Sequence, residues 1–117
     1  MTERYIYHVC KREEWTAAQE VGAYSGSSQD KADGFIHFSG REQVHGSVAK
    51  HRAGQTGLVL LEVDSALLGE VLKWEPSRDG ALFPHLYDDL LLTAVTRTAP
   101  LNLLDDGTHD FPDWLCR

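Results

Sequence analysis

The segment that decides the fold is LVLLEV, residues 58–63. It is almost continuously apolar, and it follows Gly54 and Gly57, which favour a turn before it. A strand with this composition is buried on both faces, because a strand with one exposed face carries polar residues at every second position. The segment therefore predicts the central strand of a sheet, with other layers on both sides.

Shorter strand patterns surround this central segment. Aromatic and β-branched residues bounded by turn formers predict five further strands, at 5–9, 34–38, 71–75, 81–87 and 90–97. Asp64 is expected to cap a short helical turn at 65–68. Together with two to three helices, these elements predict an α+β fold: one compact domain with a twisted, mainly antiparallel sheet of about six strands.

Two helices are predicted with some precision. The spacing of apolar residues predicts a helix at 12–21, and a capping box formed by Ser39 and Glu42 predicts a second at 40–53. Between them, residues 22–34 read GAYSGSSQDKADG and show no periodicity. A loop of this length in a small domain is usually a lid, a binding loop or a mobile segment, so this segment is interpreted as one of these.

Composition and net charge limit the kinds of molecule that the chain is expected to bind. The chain has 117 residues, a hydrophobic fraction of 42% and a formal net charge of −7, so it can bury a core and should not bind nucleic acid nonspecifically. Its eleven Lys and Arg residues still allow a local patch for a small anionic ligand. Cys10 and Cys116 form no disulfide or zinc pattern, and neither a signal peptide nor a membrane span is evident. A cytoplasmic protein is expected.

The chain divides at about residue 100. Residues 1–100 are interpreted as the domain, and residues 101–117 form an acidic tail. The tail carries Phe111, Trp114 and Leu115, and large apolar side chains of this kind need a surface to cover. We therefore expect the tail to dock on its own domain or on a partner chain, in the second case as a homodimer contact.

Three of the six histidines, His8, His37 and His85, lie in predicted strands among apolar neighbours. A buried imidazole needs hydrogen-bond partners or a ligand. Strand alternation places two of them beside an aromatic ring and a hydroxyl: Phe35, His37 and Ser39 in one strand, and Phe83, His85 and Tyr87 in the other. This pattern predicts a small-molecule pocket lined by His37 and His85. The competing interpretation is that both rings tie loops to the sheet.

Trp74-Glu75-Pro76 ends another predicted strand with a large stacking surface and a carboxylate. Glu75 is a candidate general base, or a group that holds a ligand hydroxyl. The competing interpretation places Trp74 in the core and pairs Glu75 with Arg78 at the turn.

Several of these motifs resemble the domain-of-unknown-function 952 family. The resemblance runs from Tyr5 to Pro100, and it is carried mainly by Tyr7-His8, GFIHFS (34–39), LVLL (58–61), Trp74-Glu75 and FPHLY (83–87). Asp88 stands where the family commonly has glycine, and it adds a negative charge beside the predicted pocket. The acidic tail lies outside the resemblance.

That family is distantly similar to the ADP-ribosyltransferase-like superfamily. The resemblance implies an NAD-dependent transferase that moves an ADP-ribosyl or phosphoryl group, with NAD as a substrate. No metal-ligating residues are assigned. It implies that His8 holds ribose hydroxyls and that His37 with Ser39 forms the second strand motif, while Glu75 is only a substitute for the third-motif carboxylate. The expected catalytic residues are His37, His85 and Glu75; the expected ligand-binding residues are His8, Tyr24, Phe35, Ser39, Trp74 and Tyr87.

Two alternatives to a nucleotide-binding enzyme remain open from the residues alone. His8, His37 and His85 would form a three-histidine metal site with an open position if the fold brought them together. The chain would otherwise be a noncatalytic binding or interaction module.

Overall fold

The computed structural model describes residues 4–77 and 80–116. Within these ranges the α-helices are α1 (Arg12–Val21), α2 (Ser28–Asp33) and α3 (Val44–His51). The strands are β1 (Tyr5–Lys11), β2 (Ala23–Tyr24), β3 (Ile36–His37), β4 (Leu58–Asp64), β5 (Leu72–Pro76), β6 (Leu82–Leu86), β7 (Leu90–Leu91), β8 (Val95–Leu103) and β9 (His109–Asp110). Short 3-10 turns occupy Ser65–Leu67, Gly69–Val71, Leu92–Ala94 and Asp113–Cys116.

The strands form three antiparallel sheets. Their orders are β1-β4-β8-β9, β2-β7 and β3-β6-β5. A backbone bridge joins the first sheet to the end of β3, because Tyr7 and Ser39 each donate an N–H to the other's carbonyl, at 2.8 and 2.7 Å. The prediction of a single α+β domain with antiparallel pairing is confirmed. The prediction of one sheet of about six strands is wrong, because the chain divides its strands among three smaller sheets.

The central segment behaves as predicted. All seven residues of β4 are buried, and β4 pairs with β1 on one side and with β8 on the other. Leu58 and Leu60 pack into one apolar cluster with α3 and the tail, whereas Val59, Leu61 and Val63 pack into a second cluster on the opposite face. Alternate residues of one strand thus supply two core layers, which is why the segment carries almost no polar side chain.

The predicted loop at 22–34 contains regular structure. Its first part forms β2, and its second part forms α2, which starts from a capping box: Asp30 N donates to Ser27 Oγ and Ser27 N donates to the Asp30 carboxylate. The helix predicted at 40–53 begins later, at Val44, because Gly40 N donates to the side-chain oxygen of Gln43. Ser39 does not cap this helix; its hydroxyl donates to Ser47.

The predicted strand at 90–97 is interrupted. Leu90 and Leu91 form β7, a 3-10 turn follows, and β8 starts at Val95. β8 runs past Pro100 to Leu103, and β9 pairs with its end.

The tail packs on its own domain. Leu115 is 1% exposed within the cluster around Leu58, and Arg41 donates from Nη1 to the carbonyls of Trp114 and Leu115 at 3.1 and 2.9 Å. In the described ranges the longest helix has ten residues, and none has the length and hydrophobicity of a transmembrane helix.

Candidate functional site

The pairing of β3 with β6 brings His37 and His85 directly opposite each other. Their ring centroids are 5.7 Å apart, and Phe35 stacks on His85 with centroids 4.1 Å apart and planes at 28°. The ring of Tyr87 lies 5.2 Å from that of Phe35. The predicted convergence of two strands at one histidine-lined surface is therefore seen in the structure.

Strand alternation explains why these side chains are accessible. Ile36, Phe38 and Leu86 are 1–3% exposed and belong to the core, so the intervening side chains must point away from it. His37 keeps 39% of its side chain exposed and His85 keeps 12%. The same backbone that buries one face thus presents the two imidazoles on the other.

Glu75 holds His85 in a defined orientation. Its Oε1 lies 2.9 Å from His85 Nδ1 and accepts a hydrogen bond from Tyr87 Oη at 2.6 Å. These two hydrogen bonds hold the pKa of the Glu75 carboxyl below its ordinary value, and the one from Tyr87 has the larger effect. Because a carboxylate accepts, Nδ1 of neutral His85 carries the proton, and within the described ranges Nε2 contacts no hydrogen-bond partner. His85 therefore presents a free lone pair, the arrangement of an oriented general base.

His37 has the opposite electrostatic setting. Its Nδ1 lies 2.5 Å from Asp30 Oδ1, and its Nε2 lies 2.9 Å from Asp33 Oδ2. The hydrogen bond to Asp30 raises the pKa of His37 more than burial lowers it, and the charges of Asp30 and Asp33 raise it further. Both ring nitrogens donate to carboxylates only when the ring is protonated, so this site favours the imidazolium.

Sequence reasoning missed both α2 carboxylates that contact His37, Asp30 and Asp33, and Asp30 is the buried one. It is 3% exposed, and besides His37 Nδ1 it accepts from Ser27 N at 2.7 Å, Ser27 Oγ at 3.0 Å and His37 N at 3.1 Å. Burial raises its pKa, but the hydrogen bond from His37, the nearby His8 and the backbone donors together hold it far below the ordinary carboxyl value. The signal in the sequence was Ser27-x-x-Asp30, a capping pattern inside the segment interpreted as a loop.

His8 is enclosed instead of facing a ligand. It is 4% exposed; its Nδ1 donates to the carbonyl of His37 at 2.5 Å, and its Nε2 accepts from Tyr24 Oη at 2.7 Å. Burial lowers its pKa and keeps the ring neutral. Both nitrogens are used, so His8 is not free to hold ribose hydroxyls. Tyr24, 2% exposed, is likewise a buried partner and not a ligand contact.

The three-histidine metal site is also wrong. His8 has no nitrogen to offer a metal, and the part of the chain that the structure describes contains no group of three His, Cys, Asp or Glu side chains arranged to hold one.

Two other expected ligand-binding residues lie away from the paired imidazoles. Trp74 pairs with Pro84 in the β5–β6 register, on the face opposite Glu75, and packs against the core. Its buried Nε1 has no hydrogen-bond partner in the described ranges. Ser39 is 7% exposed and donates to Ser47, so its hydroxyl faces α3. The expected pairing of Glu75 with Arg78 lies outside the described residues.

The paired imidazoles open into a broad groove of about 1430 Å³. Residues of α2, α3, β1, β3 and β6 line it. Lys50 in α3 and Arg52 just after it also line the groove, so two cationic groups lie in the same groove as the aromatic and histidine surface. The groove is open, and its volume exceeds the roughly 300–1,000 Å³ of a typical small-ligand pocket, so a small organic ligand would fill only part of it.

Comparison with known proteins gives the same family as the motifs. A family model described as "Protein of unknown function (DUF952)" matches residues 9–98. The chain is similar to protein CC0527 from Caulobacter crescentus: its crystal structure is 50% identical, with a TM-score of 0.91, over 97% of this chain and 99% of that one. A crystal structure of a double mutant of CC0527 gives the same values. The solution NMR structure is 52% identical, with a TM-score of 0.81, over 91% of each chain. No curated protein matches. The chain belongs to the DUF952 family.

Proposed function

We propose that the surface formed by Phe35, His37 and His85 binds a nucleotide or dinucleotide-type ligand, with NAD as the first candidate. The observation that carries this proposal is the stacked Phe35–His85 pair facing His37 across β3 and β6. An aromatic face takes a planar ring, and a cationic imidazole beside it takes an anionic group. A nucleotide carries both features.

The catalytic extension of this proposal is ADP-ribosyl or phosphoryl transfer, with an ADP-ribosyltransferase-like fold and NAD as a substrate. For NAD, the bond between nicotinamide and ribose breaks, nicotinamide leaves with the electron pair, and an acceptor oxygen bonds to the ribose carbon. The acceptor's proton passes to Nε2 of His85. Glu75 supports this role because its hydrogen bond to Nδ1 leaves Nε2 as the basic nitrogen. The proposal places this chemistry in the cytoplasm.

The site residues of the proposal differ from the expected set. His37, His85, Glu75, Phe35 and Tyr87 remain in it, because they share one surface. Asp30 joins them as the residue that positions His37.

Calorimetric titration tests the binding. We expect NAD, ADP-ribose or a phosphorylated RNA end to bind the wild type, and Phe35→Leu and His85→Asn to weaken that binding by about tenfold, the loss of roughly one ring contact. His45→Asn is the matched control, since His45 is an exposed histidine outside the groove. If none of the three ligands binds the wild type, the proposal is wrong.

A separate assay tests the catalytic extension. Release of nicotinamide from NAD should be lost in His85→Asn and should continue at the wild-type rate in His45→Asn. Binding without release would identify a noncatalytic nucleotide-binding module.

A further inference from the structure

Helix α2 brackets the ring of His37 with two carboxylates. Asp30 and Asp33 lie one turn apart on α2 and contact opposite nitrogens of the ring, Nδ1 and Nε2. Their surroundings differ sharply, because Asp30 is 3% exposed whereas Asp33 is 39% exposed in the groove. One carboxylate is thus part of the interior, and the other lies at the surface where a ligand would arrive.

We propose that Asp33 occupies the position of a ligand's phosphate group on Nε2 of His37, and that a phosphate displaces it on binding. This inference rests on the proposed function and adds the ligand class: the ligand carries an anionic phosphate, which docks on His37. Asp33 then acts as a specificity-determining residue, because a neutral ligand cannot replace its contact.

The contacts of the two carboxylates explain why a phosphate would displace Asp33, and not Asp30, from the His37 ring. Asp30 accepts from two backbone amides and a serine hydroxyl besides the imidazole, so removing it would leave several buried donors unpaired. Among the described residues, Asp33 shares its oxygen with His37 and with Gln29 Nε2 at 3.1 Å and with no other group. Exposed ion pairs of this kind contribute little, and Gln29 can keep the released carboxylate in place.

Phosphate is the group best suited to the exchange. A phosphate monoester carries a charge of about −1.5 to −2 and three strong acceptor oxygens, against one charge and two oxygens for Asp33. It competes for the same N–H donor, while Asp30 continues to hold the other nitrogen of the ring. Diphosphate groups present the same kind of oxygen with less charge each, so ADP-ribose and inorganic phosphate both probe this contact.

The test compares Asp33→Ala with Glu20→Ala, an exposed carboxylate on α1 outside the groove whose loss changes the net charge equally. Asp33→Asn is the second variant, because it removes the charge with little change of shape. Calorimetry uses three probes: ADP-ribose, inorganic phosphate and the uncharged nucleoside adenosine. We expect both Asp33 variants to bind ADP-ribose and phosphate at least about threefold more tightly than Glu20→Ala does, with adenosine unchanged.

The outcomes separate this inference from the proposed function. If the wild type binds ADP-ribose and the Asp33 variants bind it no more tightly than Glu20→Ala, the inference is wrong and the nucleotide site stands. An equal gain for adenosine would also overturn it, because Asp33 would then only narrow the groove. Tighter binding of inorganic phosphate without any binding of the nucleotides supports the inference and contradicts the nucleotide proposal. If no probe binds any variant, both are wrong.

Discussion

His37 and His85 face each other across β3 and β6, yet their neighbours give the two rings opposite electrostatic settings. His37 donates to two carboxylates, whereas His85 donates to one and keeps its other nitrogen free within the described ranges. The two rings, 5.7 Å apart, therefore offer different groups to the groove: His37 is held between two carboxylates, whereas His85 has one ring nitrogen without a hydrogen-bond partner in the described ranges.

The charge on His37 can be measured directly. We predict that an NMR pH titration gives His37 a pKa above the ordinary value of 6.5, because Asp30 hydrogen-bonds to its Nδ1. Asp33→Ala should lower this pKa by removing one of the two carboxylates, whereas Glu20→Ala should leave it unchanged. A wild-type pKa below 6.5 would contradict the arrangement of α2 around the ring.

The two carboxylates should differ in their contributions to stability. Replacing Asp30 by alanine leaves buried donors of Ser27 and His37 unpaired, so we expect a loss of about 3 kcal/mol in the free energy of unfolding. Asp33→Ala removes a partly exposed pair and should cost about 0–1 kcal/mol. Urea denaturation of both variants measures the difference. Equal losses would mean that Asp30 is less buried than the structure places it.

The parts of this site that could be predicted from the sequence are those set by neighbouring residues in one strand. In GFIHFS and FPHLY, alternation along the strand predicts which side chains point away from the core: Phe35, His37, His85 and Tyr87. This prediction needs only local sequence, because successive side chains of a strand point to opposite faces. The enclosure of His8 depends on Tyr24, sixteen residues away, and no local pattern reports that contact.

Two other features of the site could have been predicted from local sequence, but the patterns were interpreted in another way. Trp74 and Glu75 are neighbours in one strand, so they cannot share a face, and only Glu75 reaches the site. Ser27-x-x-Asp30 was a visible helix start, but the surrounding glycines and serines favoured a loop. The interruption after Leu91 has no comparable signal, because the apolar residues continue through the 3-10 turn.

His8 should make the protein less stable in mild acid. Burial lowers its folded pKa below the unfolded value of 6.5, so below about pH 6.5 the unfolded chain binds a proton that the folded chain excludes. The stability gained from neutral His8 is therefore complete above that pH and is lost as the pH falls toward the folded pKa. His37, with a raised pKa, contributes in the opposite sense: its stabilisation is present in acid and is lost as the pH rises through its folded pKa.

A variant isolates the contribution of His8. His8→Gln should unfold more easily at neutral pH, by about 1–3 kcal/mol, since a buried hydrogen-bonded ring is lost. Its denaturation midpoint should also fall less steeply than that of the wild type as the pH drops below 6.5, because it lacks the buried ring whose folded pKa is lowered. His51→Gln, at an exposed histidine for which the described residues show no ring contact, serves as the control and should follow the wild type. Parallel pH curves for His8→Gln and the wild type would show that His8 is accessible to protons in the folded state.

The last prediction concerns the tail, which supplies part of the core. Leu115 is 1% exposed and packs with Leu58, whereas Leu104, in the same segment, is 45% exposed. Leu115→Ala should therefore cost about 2–4 kcal/mol in the free energy of unfolding, and Leu104→Ala should cost well under 1 kcal/mol. Chemical denaturation measures both free energies of unfolding. Repeating it at several protein concentrations tests whether the tail packs against a second copy of the chain. A midpoint that rises with concentration, and does so only with Leu115 intact, would mean that the tail docks between chains instead of within one.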